Sequence, residues 1–383
     1  MYSSSANRQG TLDDFHVENM MLRYSVFVPK LYNYCKSLGF EPGKIMPSRA
    51  FCSDESQGFP IILITKHFGT FPFNHGQVGG IVATDRHGPH AEHGKDMVII
   101  QASHVGYDPE TGSFGSYRRL QCEHHDMSAN CGKIAAVLSW YQEEYAFAKD
   151  NIFLERNGQD LLLVIDNLLM SHSRDEGLFL NSDQMVQCGP HGEPIAVRSF
   201  STAKAYRVAE SFRRELGEAA WPASGRAPIG ARLAAELFRF QRKIADDVEG
   251  KEHLERNLIQ PMPWIVTSPA PLLTAAQINT QVEFDRAFRT IVKEHSYRGK
   301  NVVYVAGLNI DISPQPDQLF PLTKFVPWAA YVQQQDGTHY SLEQAELMAK
   351  LQAQSAQNPD QIDLEDAIRR MGEATEIKIK LAG

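Results

Sequence analysis

Apolar positions along this chain fall into two periods. At helical spacing they recur over 12–38 (Met20, Met21, Tyr24, Phe27, Leu31, Tyr34), with Pro29 placed to kink or split the helix. From Cys131 to about Lys149, residues Ile134, Val137, Leu138, Tyr141, Tyr145 and Phe147 approximate one apolar face. Residues 158–172, 201–216, 227–246 and 274–296 read as further helices, with a Pro/Gly/Ser hinge at 222–227. Short apolar runs mark strands. One runs from Ile45 into a turn at Cys52, one covers Met97 to Val105, and one lies at 325–332 before the Asp336-Gly337 turn. Residues 301–307 are apolar on both faces and predict a central strand. Ile61 to Ile64 fits either a buried strand or a buried helix turn. Between 67 and 96 the chain is rich in Gly, His and Pro and reads as a long irregular loop, a kind of segment that is often functional.

The two ends differ from the middle. Residues 1–10 are polar and read as disordered. In the tail, 341–355 and 363–373 read as polar helices and 376–381 as an alternating strand. Isolated apolar strands with intervening helices predict an α/β fold, a central sheet flanked by helices. The expected organisation is one domain over 11–333, followed by a helical and strand extension of unknown role over 334–383.

Composition narrows the class. With 43% hydrophobic and 22% charged residues, the chain is of the ordinary globular kind. A net charge of −8 and no dense Lys/Arg tract argue against nucleic acid or an anionic membrane as partner. No apolar run reaches the length of a membrane span, and Met1 to Gln9 carries no apolar signal core, so the expected location is cytoplasmic. Five cysteines make an odd and sparse set, which favours metal or thiol chemistry over a disulfide framework.

Eight of the 14 histidines and three of the five cysteines lie between Cys52 and Cys131. Cys52 follows a strand, His104 closes another, and Cys131 opens a helix, whose N-terminus favours a thiolate. In an open α/β sheet, ligands bind beyond the carboxyl ends of the strands. Two thiolates and an imidazole are the ligand set of a catalytic zinc site with its fourth position open. Asp54, two residues after Cys52, is placed to steer what occupies that position. Other readings stay open. A lone cysteine is most often core filler, as Cys35 and Cys188 are read here. Cys122, His124 and His125 are an alternative set with Cys131. His87, His90 and His93 step by three, but Pro89 and the nearby glycines argue for loop residues. The H-x-E with P-C-x-x-C signature of zinc deaminases is absent, as is H-E-x-x-H.

Three segments carry a resemblance. They are Cys52-Ser53-Asp54-Glu55, then Ser103-His104-Val105-Gly106-Tyr107-Asp108-Pro109-Glu110-Thr111-Gly112, then Ser128-Ala129-Asn130-Cys131-Gly132-Lys133. Together with Gly79-Gly80 they resemble the limiting-CO2-inducible protein B family, the theta-class carbonic anhydrases related to the β class. The resemblance implies a β-carbonic-anhydrase-like sheet, zinc held by Cys52, His104 and Cys131, and a homodimer. It implies hydration of CO2 to bicarbonate by a zinc-bound hydroxide that Asp54 orients. Phe51, Val105, Tyr107 and Phe114 are candidate walls for CO2. One departure stands out: β-type sites place an arginine two residues after this aspartate, where this chain has Ser56. Arg86 and Arg49 are the candidate substitutes. Without such an arginine, the alternative is a catalytically silent relative that keeps zinc for structure and binds bicarbonate or a protein.

Overall fold

A computed structural model describes residues 15–82, 95–118, 127–171, 174–246, 251–314, 318 and 320–377; the expected disordered stretch 1–10 lies outside them. The chain divides into two compact units, one of residues 1–112, 116–128 and 280–383 and the other of 113–115 and 129–279.

The first unit is built on a mixed sheet. Its strands are β1 (Leu22–Arg23), β2 (Ile45–Ala50), β3 (Phe73–Asn74), β4 (Asp96–Asp108), β5 (Val302–Ile312), β6 (Lys324–Gln333) and β7 (His339–Leu342). They lie in the order β1-β6-β5-β4-β2-β3, with β7 also paired to β6. Strands β2 to β5 are parallel, and β6 runs antiparallel to β5, β1 and β7. Every residue of β4 except Tyr107 is buried, as is every residue of β5 except Ile312. A parallel strand covered on both faces needs apolar residues at successive positions, which is why these runs show no alternation.

Helices cover both faces. Beside α1 (Tyr24–Ser37) and α2 (Gly58–Phe68) come α3 (Pro271–Ile291) and α4 (Gln344–Gln352). On one face α1, α2 and α4 pack Phe27, Leu31, Ile64, Leu347 and Leu351 against Val98, Ile100, Val303 and Val305. On the other, α3 from Thr280 onward packs Phe284, Ala287, Phe288 and Ile291 against Met97, Ile99, Val302 and Tyr304. Pro29 sits inside α1. The ambiguous run Ile61 to Ile64 belongs to α2, which ends at Gly69 in the left-handed conformation (φ 74°). Of the tail, β7 and α4 are built into this unit, and Leu342 joins the same core. Helix α5 (Leu364–Glu373) buries none of its residues. Residues 374–377 form no strand, and 378–381 lie outside the described residues.

The second unit holds the helix Gly132–Asn151 and a five-stranded antiparallel sheet. Three helices expected there are corrected. Residues 158–172 form the strand Asp160–Asp166 and a single helical turn, Asn167–Met170. Gly158, at φ 62°, turns the chain so that Asn157 pairs with Asp160, and a short apolar run set off by such a turn is a strand. Residues 201–216 divide into the strand Ala203–Arg207 and the helix Glu210–Leu216. Within 227–246 the chain ends the strand Gly225–Pro228, makes two short 3-10 turns and forms the strand Phe238–Gln241. There Phe238 and Phe240 are buried while Arg239 and Gln241 are exposed, a period of two.

Candidate metal centre

Parallel pairing sets the level of the first candidate ligand. Ala50, the last residue of β2, lies opposite Gln101 of β4. Two residues further, Cys52 is level with the Ser103-His104 stretch, beyond the carboxyl end of its own strand. Its side chain is buried. Gly79 and Gly80 run beside it with φ values of 76° and 78°. A Cβ on Gly80 would come within 2.4 Å of the Ala102 carbonyl oxygen, so only glycine allows this approach to β4. The Gly79 N–H donates to Cys52 Sγ at 3.2 Å. A donor aimed at sulfur favours the thiolate.

His104 stands within β4, four residues before its end, and not at a strand terminus as expected. It continues the face of Val98, Ile100 and Ala102 and is fully buried. On β5, Asn309 lies directly opposite it, and Asp311, two residues on, shares that face. His104 Nδ1 donates to Asp311 Oδ2 at 2.9 Å, because a carboxylate can only accept. The other ring nitrogen, Nε2, is buried and meets no partner in hydrogen-bond geometry among the described residues. Burial alone would lower the pKa of His104, but the hydrogen bond to Asp311 and the proximity of Cys52 outweigh it and raise the value to about 10. Without metal the ring therefore holds its proton at neutral pH.

Asp311 is a hub that sequence reasoning missed. Its Oδ2 also accepts from Ser56 Oγ at 2.9 Å and Gln57 Nε2 at 2.8 Å, and its Oδ1 accepts from Thr323 Oγ1 at 2.9 Å. Gln57 Oε1 in turn accepts from Asn309 Nδ2 at 2.6 Å, and Asn309 Oδ1 accepts from the Tyr24 hydroxyl at 2.7 Å. All these side chains are buried. A signal did exist: Asn309 and Asp311 are polar residues at period two ending an apolar strand, which puts both on one buried face.

Asp54 caps the 3-10 turn Glu55–Gln57, its Oδ1 accepting the Ser56 N–H at 3.1 Å. Tyr117 lies near Asp54 and Asp311; burial, and then both negative charges, push its phenol pKa up. Ser56 is buried and bound to Asp311. Arg86 lies outside the described residues, as do Cys122, His124, His125, His87, His90 and His93. Arg49 lies in β2 close to His75, and no ion pair joins it to Asp54 among the described residues.

Cys131 is the N-cap of the helix Gly132–Asn151, in extended conformation (φ −78°, ψ 128°), and is buried. A metal-ligating atom from each of Cys52, His104 and Cys131 lies within 4.8 Å of the others. This group can hold a metal ion, and the donor set fits one of zinc type. It has two buried sulfurs and one imidazole whose Nδ1 is fixed by a carboxylate, which leaves Nε2 as the nitrogen to offer a metal. Cys35 is fully buried in the first unit's core and its thiol pKa is pushed up by burial, as filler requires. Among the candidate walls, Phe51 is core and meets Tyr24 edge-on. Val105 and Tyr107 alternate onto the face of β4 away from His104. Phe114 is partly exposed.

No family model and no curated protein matches the chain. Among solved structures, it is similar to the crystal structure of a homologue of the limiting CO2-inducible protein LCIB, at 12% identity and a TM-score of 0.49, covering 89% of this chain and 99% of that one. It is also similar to the crystal structure of LCIB itself, at 12% identity and a TM-score of 0.44, covering 85% and 95%. These structures bear the family name that the motifs around Cys52, His104 and Cys131 resemble.

Proposed function

We propose that this chain is a zinc-dependent carbonic anhydrase of the theta class, with a β-carbonic-anhydrase-like site, catalysing the reversible hydration of CO2 to bicarbonate. The observation that carries this reading is the buried grouping of Cys52, His104 and Cys131 around one point. His104 offers Nε2 because Asp311 holds its Nδ1–H. Cys52 Sγ accepts a hydrogen bond from the Gly79 amide, which suits a sulfur that is to bind metal. Zinc bound there supplies a Lewis acid that makes water a nucleophile near neutral pH. Asp54, on the turn after Cys52, accepts a hydrogen bond from the attacking water and so orients it toward the carbon of CO2. A neutral substrate needs no charged clamp. The working form is a homodimer.

A second reading has a specific observation in its favour. Ser56, at the position where β-type sites place an arginine, is bound to Asp311. If Asp54 turns onto the metal, the site closes. The chain is then a silent relative whose metal is structural and whose role is to bind bicarbonate or a protein.

Stopped-flow CO2 hydration on zinc-quantified protein, beside Cys131→Ala, separates the two. The enzyme reading expects one zinc per chain, a rate that tracks zinc content, and loss of both in the variant. Full zinc with no rate above buffer would leave the silent relative.

A further inference from the structure

Each ligand needs a partner that sets its direction. For His104 that partner is Asp311, and three further donors are bound to it. We propose that Asp311 is the positioning residue of the metal centre. Its carboxylate fixes the ring orientation and tautomer of His104 that leave Nε2 for the metal, and through Ser56 and Gln57 it ties the turn carrying Cys52 to the same point. This presupposes that Cys52, His104 and Cys131 hold a metal.

Three features support it. The Nδ1–Oδ2 distance of 2.9 Å joins two side chains that are both fully buried, where an unmatched charge is costly. Ser56 and Gln57 lie four and five residues after Cys52, and both donate to the oxygen that His104 uses. Those three bonds link β4, β5 and the turn after β2 through one atom. The Gln57–Asn309–Tyr24 chain continues the network to α1, so Gln57 is itself held from behind. A ring anchored in this way loses little freedom on binding metal, and the carboxylate makes its imidazole a stronger ligand. Ser56, where an arginine was expected, thus serves His104 through Asp311.

The test is zinc affinity of the full chain, by competition with a chromophoric chelator, for the wild type, Asp311→Asn and Cys52→Ser. Visible spectra of the cobalt-substituted proteins are recorded beside it. Asparagine matches the shape of aspartate. It can keep an oxygen toward His104 and turn its amide to the Thr323 hydroxyl, so it removes the charge with little change of volume. The expected result is a folded Asp311→Asn protein that binds zinc about 10- to 100-fold more weakly, with shifted cobalt bands. A folded variant within about twofold of the wild type and with unchanged bands overturns the proposal while the metal site stands. A wild type that takes up no zinc, or a Cys52→Ser protein that binds as tightly as the wild type, overturns the metal reading and this proposal with it. Should Asp311→Asn fail to fold, nitrogen-15 spectra of histidine-labelled, zinc-loaded wild type decide. His104, identified by loss of its signals in His104→Gln, is expected to show a protonated Nδ1 and a coordinated Nε2; coordination through Nδ1 overturns the proposal.

Discussion

In the metal-free protein, His104 is a base held protonated by its surroundings. Burial opposes that charge, and Asp311 and Cys52 more than restore it, raising the pKa from 6.5 to about 10. A folded-state pKa above the unfolded value contributes stability that is fully present below about pH 6.5 and is lost as pH rises through about 10. Thermal unfolding in a strong chelator should therefore show a melting temperature that falls across this window. A flat profile would mean that His104 is neutral in the folded protein. Zinc must displace the same proton, so zinc affinity should climb over the same interval. The candidate ligands Cys52, His104 and Cys131 were legible in the sequence because cysteine and histidine are rare and carry their chemistry with them. Asp311 was not, because an aspartate near the end of a strand looks like a solvated one until its register is known.

At the scale of elements, the glycine pair at 79–80 is a structural requirement. Gly80→Ala would drive a Cβ to 2.4 Å from a backbone carbonyl and hold alanine at φ 78°. Neither atom can yield cheaply, so a loss of at least about 1 kcal/mol is expected in urea unfolding. Zinc affinity should fall with it, since Gly79 would be pulled from Cys52. Unchanged stability and affinity would show that this segment is free to move. The buried strands β4 and β5 were readable from unbroken apolar runs. The strands of the second unit were not, because Leu161 to Ile165 and Ala203 to Arg207 match a short helix as well as a strand. Sheet partners and the turn at Gly158 resolved the difference.

At the scale of the whole chain, the segment after Gln333 belongs to the core of the first unit. Leu342, Leu347 and Leu351 are buried there. Each contributes about 1.5–3 kcal/mol of burial, and together they approach the net stability of a typical domain, about 5–15 kcal/mol. A chain ending at Gln333 is therefore expected to lose its cooperative thermal transition in circular dichroism. Retention of the full transition would show that β7 and α4 are dispensable. Among the described residues no helix is long and apolar enough to cross a membrane. By itself the sequence determined the α/β class, the two central strands, the helix behind Cys131 and the residues able to bind metal, because these follow from local pattern and side-chain chemistry. The tertiary structure decided that Cys52, His104 and Cys131 meet, which carboxylate holds His104, and that Ser56 serves that carboxylate. Those depend on pairing between segments more than 200 residues apart, such as His104 with Asp311, and local sequence carries no record of such pairing.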